Sequence, residues 1–494
     1  MLGKVKVKLV SVEEGITALG FRRIVSIARK FNPDSQVYFL TVGNLYSFAT
    51  HFFPSNHLNY SDNDFDSISG EFADADILCF SSMTASAFYI EKIIQYVKKK
   101  NPKVFVLWGG AHAIIYPDQA IKHADAICTG EGEYPFDMFY RAFTEGKDYS
   151  TTPSMWFNTG KGIVKNKNRR LDTPEELSYF PHLYYGLDCS IFDLRRRIFR
   201  RFTQADYINY NSLSYRTVWS IGCPFSCAYC ANDVFLSNDK DYGWIRYPSV
   251  DYIISEIEKA IAIYPFISTV IFYDDSFIGI PLDDIKAFAH EYKKRINLPF
   301  LVAGIHPNFV TREKINLLAE AGMNRTRMGI QSASEKTLSF YRRFTSLSKI
   351  KESAKILSEA TRHYGLIPPA YDIISDNPVE SREDIVDTLM FLYELDRPYT
   401  LTIFSLRIFP YTKLWDYFRR QPEMIDLCGQ TNSYLQTKKN IANILLYILA
   451  VMKPPKAFFY WVLRFVKGGN ERQSSHPVFY LLVKGIYLSS RAFR

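Results

Sequence analysis

At 494 residues, with 47% hydrophobic and 22% charged side chains, the chain has the composition of packed domains, about three at roughly 100 to 200 residues each, and lies outside the disordered and mini-protein classes. Its 60 Lys and Arg against 51 Asp and Glu give a formal net charge of +9, but residues 431–494 hold ten basic residues against the single acid Glu471. Residues 1–430 are therefore formally neutral, which disfavours a nucleic-acid partner, and the positive bias belongs to the tail.

Seven cysteines are too few for a disulfide scaffold in so long a chain, so a reducing, cytoplasmic compartment is expected. The opening MLGKVKVKLVSVEEG lacks the apolar core of a secretory signal, and no run reaches the roughly 18 apolar residues of a spanning helix.

From the amino terminus, apolar strands alternate with amphipathic stretches. Strands are expected at Val5 to Val10, Val37 to Val42, Ile77 to Ser81, Val104 to Trp108 and Ala126 to Thr129, with helices at Ile16 to Lys30 and Ala87 to Lys99. This alternation predicts an α/β domain over residues 1–149, a doubly wound parallel sheet. Loops after the third, fourth and fifth strands, at Ser82-Met83-Thr84, Gly109-Gly110 and Gly130-Glu131-Gly132, would then share the carboxyl rim, where ligands sit in such sheets. Residues 150–212 lose the pattern and read as a connector.

A second alternating series predicts strands at Thr217 to Ser220, Thr269 to Tyr273, Phe300 to Ile305, Arg325 to Ile330, Pro369 to Ile374 and Leu401 to Ile408. Helices are expected at Val250 to Ala262, Leu282 to Arg295, Arg312 to Ala321, Ser348 to His363 and Arg382 to Leu395. Six strand-helix units over residues 213–425 suggest a partial (β/α)6 barrel with its chemistry at the strands' carboxyl ends. Residues 426–494 read as a basic, apolar, helical tail.

Cys223-Pro-Phe-Ser-Cys227-Ala-Tyr-Cys230 carries the strongest chemical signal. Three thiols at spacings of four and three in one loop suit three irons of a cubane. A closed zinc site wants four ligands, and the next Cys or His is His290. Cys79, Cys128, Cys189 and Cys428 have no partner at ligand spacing and read as buried thiols.

CPFSCAYC matches the CxxxCxxC signature, and the chain here resembles the radical S-adenosylmethionine (SAM) superfamily, with Tyr229 as the aromatic residue before the last cysteine. The resemblance implies a four-iron, four-sulfur (4Fe-4S) cluster on Cys223, Cys227 and Cys230 that binds SAM at its open iron. An external one-electron reductant would drive cleavage of SAM to a 5'-deoxyadenosyl radical. It also implies SAM contacts at Tyr229, at Asp274 and Asp275 in the "DDxF"-like Asp274-Asp275-Ser276-Phe277, and at Gln331 and Ser332 in the "GxES"-like Gly329-Ile330-Gln331-Ser332. Gln331 stands where the family has Glu, and Asp376-Asn377-Pro378-Val379-Glu380 departs from "GxPGE". Capping of the following turn is the competing role for Asp274 and Asp275. His306 reads either as a substrate contact or as a packed loop residue. No residue is assigned a catalytic role.

The amino-terminal domain resembles the cobalamin-binding domain that precedes the barrel in one subgroup of that superfamily. The likeness rests on Ser81-Ser82-Met83-Thr84, Trp108-Gly109-Gly110-Ala111-His112-Ala113 and Gly130-Glu131-Gly132-Glu133. It implies cobalamin contacts from Ser81, Ser82, Thr84, Gly109, Gly110, His112, Gly130 and Glu131. Where related domains carry D-x-H-x-x-G, this chain has Gly15-Ile16-Thr17-Ala18-Leu19-Gly20, so Thr17 occupies the position of the cobalt-ligating histidine. A scaffold domain without cofactor is the alternative.

In the tail, Ile441 to Met452, Ala457 to Val466 and Pro477 to Ile486 are apolar and edged by cations. Such segments suit peripheral contact with the inner face of a membrane through residues 431–494, or a helical cap on the barrel. Together these readings describe a cobalamin-dependent radical SAM methyltransferase, resembling the class B enzymes, that acts on an unactivated carbon of a small-molecule or lipid-like substrate. A radical SAM cyclase or rearrangement enzyme, and a non-catalytic iron-sulfur or zinc protein, are the alternatives.

Overall fold

The computed structural model describes residues 5–42, 60–421, 437–468 and 477–492. β1 (Val7–Glu13) is buried along nearly its whole length, as a strand must be where helices cover both faces of a parallel sheet. It pairs in parallel with β2 (Gln36–Thr41) on one side and β3 (Ile77–Ser82) on the other. β4 (Phe105–Gly109) and β5 (Ala126–Cys128) extend the β3 side, again in parallel. Sheet growth reverses about β1, and such a switch point opens a crevice at the carboxyl edge. Helices Leu19–Phe31, Asp62–Phe72, Ala87–Lys100 and Glu133–Thr144 complete the alternation.

Residues 150–212 are not the expected connector. β6 (Met155–Asn158) and β7 (Ile163–Lys165) add antiparallel strands outside β5; β8 (Ser190–Asp193) runs parallel to β2 and β9 (Ile198–Arg201) antiparallel to β8. The sheet is thus ordered β7-β6-β5-β4-β3-β1-β2-β8-β9. Part of the basic cluster is consumed internally. Arg200 pairs with Asp193 at 3.0 Å and Asp206 at 2.7 Å, and Arg197 reaches Asp64 at 3.0 Å. The described residues up to Tyr215 form one unit with Ser255–Ile267, while Arg216–Ile254 and the residues from Ser268 onward form a second.

A second sheet, which from Arg216 onward belongs to the second unit, is built on β10 (Ser214–Thr217), β11 (Thr269–Phe272), β12 (Phe300–Ile305), β13 (Met323–Gln331), β14 (Ala370–Ser375) and β15 (Thr400–Ser405), paired in that order. Each strand from β11 to β15 is parallel to the next. Helices Leu282–Arg295, Arg312–Glu320, Leu347–Tyr364 and Arg382–Glu394 connect them, the arrangement of a partial barrel.

The tail packs onto this unit. Helix Ile441–Val451 lies against β15 and against helix Arg382–Glu394, with Leu445, Leu449 and Ala450 fully buried. The Asn443 side-chain amide and the Lys438 backbone N–H each donate to Asp376 at 2.8 Å, and the Tyr487 hydroxyl donates to the Leu401 carbonyl at 2.9 Å. Tyr393 stacks on Phe459 at 4.1 Å. These are the contacts of a helical cap, so Ile441–Val451 is not a free interfacial segment. No helix among the described residues is long and apolar enough to cross a membrane.

Candidate active site

β10 ends at Thr217 because the backbone N–H groups of Trp219 and Ser220 are captured by a side chain. Asp274, 2% exposed, accepts from Trp219 N–H at 3.1 Å, Ser220 N–H at 2.5 Å and the Ser220 hydroxyl at 2.7 Å. Asp274 therefore pins the entry to the cysteine loop. The loop is then clamped by the segment that follows it. Ile221 and Arg246 exchange backbone hydrogen bonds of 2.8 and 2.9 Å, and Cys223 N–H donates to the Tyr242 carbonyl at 3.1 Å. Gly222 takes φ +107°; a Cβ there would overlap the Trp244 carbonyl oxygen and stand 2.9 Å from that of Tyr242. Further along, Ala228 N–H donates to Tyr341 O at 2.8 Å and Ala228 O accepts from Leu414 N–H at 3.0 Å.

None of these restraints uses a sulfur. Cys223, Cys227 and Cys230 are free thiols, Cys227 buried and the others half-buried. Burial, with a smaller contribution from the Asp275 carboxylate, holds the Cys223 and Cys230 thiols above their ordinary range. Such thiols wait for a cationic partner before they ionise. Among the described residues no three His, Cys, Asp or Glu side chains are grouped to hold a single metal ion; in a cubane each thiolate serves a different iron.

A buried cation completes the loop's surroundings. Arg343 is 6% exposed, its Nη1 lies 3.8 Å from Cys227 Sγ and 3.3 Å from the Tyr229 hydroxyl, and its Nη2 donates to the Gly329 carbonyl. No carboxylate is among these partners, and Nε is buried without an acceptor. An uncompensated buried guanidinium is costly unless an anion joins it. Three thiols and one orphaned cation form a donor set that fits an anionic thiolate cluster. Sequence reasoning misses Arg343, because it follows helix Glu335–Phe340 in a loop outside any motif.

His306 also meets the loop. Its ring stacks on Phe225 at 3.7 Å and 14°. Nδ1 accepts from Asn308 N–H at 3.3 Å, so the neutral ring carries its proton on Nε2, which is buried and unpartnered. Burial, with a smaller contribution from the Arg343 charge, pushes its pKa down to about 2, keeping it neutral.

The remaining barrel candidates divide. Gln331 takes φ +73°, and a Cβ on Gly329 would overlap its amide and stand 3.2 Å from Arg343 Nη2, so Gln331 belongs to the cysteine neighbourhood. Tyr229 packs edge-on against Tyr341 at 5.0 Å. Asp275 accepts from the Tyr242 hydroxyl at 3.3 Å. Ser332, 1% exposed, is drawn inward, its hydroxyl 3.2 Å from Glu380 and 3.1 Å from Thr388.

In the first unit, β3, β4 and β5 are adjacent and parallel, so the loops after them emerge on one edge. Gly110 takes φ +90°, and a Cβ there would stand 2.9 Å from Ser81 Oγ and from the Ser82 backbone; packing between these two loops explains that glycine. Ser82 accepts from Trp108 Nε1 at 3.2 Å. His112 is stacked between Trp108 and Tyr116 at 4.9 and 5.3 Å, with neither ring nitrogen hydrogen-bonded. Burial, with a smaller contribution from His123, lowers its pKa to about 4. Thr17 follows β1 and donates to Asn211 at 3.2 Å; Thr84 opens a short 3-10 turn. Gly130 packs against Ser154, and Glu131 accepts from Asp172 N–H at 2.7 Å. Beside these polar groups Met83 and Phe88 are 53% and 58% exposed, an apolar rim of the sort a large flat ligand covers. Cys79, Cys128 and Cys189 are buried, their pKa values raised by burial to about 12, 11 and 12. Cys428 lies outside the described residues.

Residues 217–392 match the Radical SAM superfamily and residues 57–139 match the B12 binding domain. The chain carries a radical SAM domain and a B12-binding domain. Among curated relatives, the 2-(S-pantetheinyl)-carbapenam-3-carboxylate methyltransferase of Streptantibioticus cattleyicolor is 26% identical over 168 residues, 32% of this chain. That match spans only 22% of the relative's length. The anaerobic magnesium-protoporphyrin IX monomethyl ester cyclase of Rubrivivax gelatinosus is 22% identical over 362 residues, covering 71% of this chain and 60% of the cyclase. Among solved structures, the radical SAM methyltransferase TsrM from Kitasatospora setae, with cobalamin and a [4Fe-4S] cluster bound, superposes with a TM-score of 0.62 at 16% identity, over 84% of this chain and 75% of TsrM. At that identity the likeness is one of fold.

Proposed function

We infer that this chain is a cobalamin-dependent radical SAM methyltransferase that acts on an unactivated carbon of a small-molecule or lipid-like substrate. The observation that carries the reading is the cysteine loop, held by backbone contacts with all three cysteines outside any disulfide, in the same chain as a B12-binding sheet. Bound there, a [4Fe-4S] cluster supplies reductive cleavage of SAM, and cobalamin supplies a methyl carrier. The chain's own residues set the conditions. Cys223, Cys227 and Cys230 would hold the cluster; Arg343 would offset negative charge at Cys227 Sγ; and His306 offers a neutral Nε2–H donor beside the loop. In the loop after β1, Thr17 takes the position of the histidine in D-x-H-x-x-G, so that loop would offer a bound cobalamin no imidazole.

The test uses anaerobically reconstituted full-length protein with SAM and a chemical one-electron reductant. Iron and sulfide, bound corrinoid, 5'-deoxyadenosine release and SAM-dependent methylation of the corrinoid are measured together. The reading requires all four; retention of corrinoid without its methylation overturns the methyltransferase assignment. A second reading, ring closure or rearrangement without methyl transfer, is favoured by the longer alignment to the cyclase, over 71% of this chain. Product mass separates the two, by a gain of one methylene unit or none.

A further inference from the structure

The cap leaves one face uncovered. Helix Lys456–Gly468 buries Phe459, Val462, Leu463 and Val466 against the second unit, which accounts for one stripe of an amphipathic helix. Its outward side carries a second apolar stripe. Phe458, Trp461 and Phe465, at spacings of three and four, are 38%, 55% and 51% exposed, and their rings touch in series at 6.1 and 5.0 Å. Lys456, Arg464 and Lys467 are exposed along the adjoining edge of the same helix; Asp387 is the carboxylate whose charge Lys467 reaches. On helix Pro477–Ala492, Leu482 and Ile486 are also 61% and 59% exposed, one turn apart.

We propose that the aromatic stripe of helix Lys456–Gly468, with its row of cations, docks the protein on the surface of an anionic lipid bilayer. This goes beyond the assignment of activity and does not depend on it. A contiguous exposed aromatic ridge is a binding feature rather than ordinary surface. Trp and Phe flanked by Lys and Arg are what the bilayer interface takes up, the rings entering the headgroup boundary while the cations meet lipid phosphates. Charge selects lipid over a second copy of the chain. Residues 431–494 hold ten basic residues and one acid, so two such faces brought together would oppose like charges. Because helix Ile441–Val451 belongs to the barrel's packing, removing the tail would unmask β15; point variants on the exposed stripe are the proper probe.

Full-length protein is sedimented with sucrose-loaded vesicles of phosphatidylcholine, with and without phosphatidylglycerol. Parent protein should bind the anionic vesicles only, with release as salt rises. At about fivefold per interfacial cation, K456E/R464E/K467E should weaken binding about a hundredfold. W461S/F465S should abolish binding and remove any lipid-induced blue shift of tryptophan emission. Thermal unfolding of both variants should match the parent, since every altered side chain is exposed. The proposal is overturned if the parent ignores anionic vesicles, if it binds neutral and anionic vesicles equally, or if W461S/F465S binds like the parent. A concentration-dependent dimer dispersed by W461S/F465S would also overturn it, by showing a second copy on this face.

Discussion

Replacing Gly222 by Ala should cost the protein its cysteine loop while leaving every thiol in the sequence. At φ +107° a residue with a Cβ pays roughly 1–3 kcal/mol for the backbone conformation. The added methyl would also overlap the Trp244 carbonyl oxygen and stand 2.9 Å from that of Tyr242. These are backbone atoms, so relief requires moving the 242–246 segment, which holds Ile221 and Cys223 through hydrogen bonds of 2.8, 2.9 and 3.1 Å. Overpacking of this kind adds about 1–3 kcal/mol, for a total of about 2–6 kcal/mol. That is a large share of the roughly 5–15 kcal/mol that stabilises a typical domain. Iron and sulfide per chain after anaerobic reconstitution, with urea midpoints on the apoprotein, provide the assay. Gly20→Ala is the control: the residue sits in helix Leu19–Phe31, no atom lies within 4 Å of where its methyl would stand, and the change should be neutral or stabilising by up to about 1 kcal/mol. A Gly222→Ala protein with parental iron and a stability within about 0.5 kcal/mol of the parent would refute the reasoning.

Cys223→Ala, Cys227→Ala and Cys230→Ala should each lose the brown chromophore and SAM cleavage, because no other Cys or His among the described residues is grouped with them to substitute; parental iron in any one of them would remove that thiol from the ligand set. Arg343→Gln keeps hydrogen-bond donors but removes the charge 3.8 Å from Cys227 Sγ. One-electron reduction of the cluster should become about tenfold less favourable, a fall of about 59 mV, read by redox titration with paramagnetic resonance detection; an unchanged potential would mean the charge is screened. His112 has a folded pKa of about 4 against about 6.5 unfolded. Its stabilising contribution is therefore complete above about pH 6.5 and is lost as pH falls towards 4, by up to about 3 kcal/mol. His112→Phe should flatten that acid limb in urea titrations, and an unchanged limb would assign the loss to other groups.

Some of this architecture is legible in the sequence and some is not. Strand Phe300–Ile305 and helix Leu282–Arg295 coincide with their expected bounds, since each has a clear period and a proline at its entry. β10 ends three residues before its expected end because Asp274, more than fifty positions away, takes the N–H groups a longer strand would have offered to its neighbour. Helix Leu19–Phe31 begins after Ala18, whose φ of +33° breaks the run expected from Ile16. Helix Asp62–Phe72 is absent from the expected elements; the spacing of Phe65, Ile68 and Phe72 and the capping box of Ser61 and Asp64 are the signals that could have found it. The edge strands within 150–212 depend on pairing between distant segments, which local pattern does not encode. The cysteines announce themselves by spacing. Arg343 acquires its role only when the fold brings it to the loop.

The way the cysteine loop is held bears on how the protein would endure oxygen. Its bonds to Asp274, Tyr242, Arg246, Tyr341 and Leu414 are made by backbone, hydroxyl and carboxylate groups and by none of the sulfurs, so the seat's shape does not depend on iron. Small zinc domains, by contrast, collapse when the ion leaves. Here oxidative loss of the inorganic core should strip colour and activity while sparing the surrounding fold. Damage to the cluster would then be a matter of refilling an intact socket, and the chain itself need not be replaced.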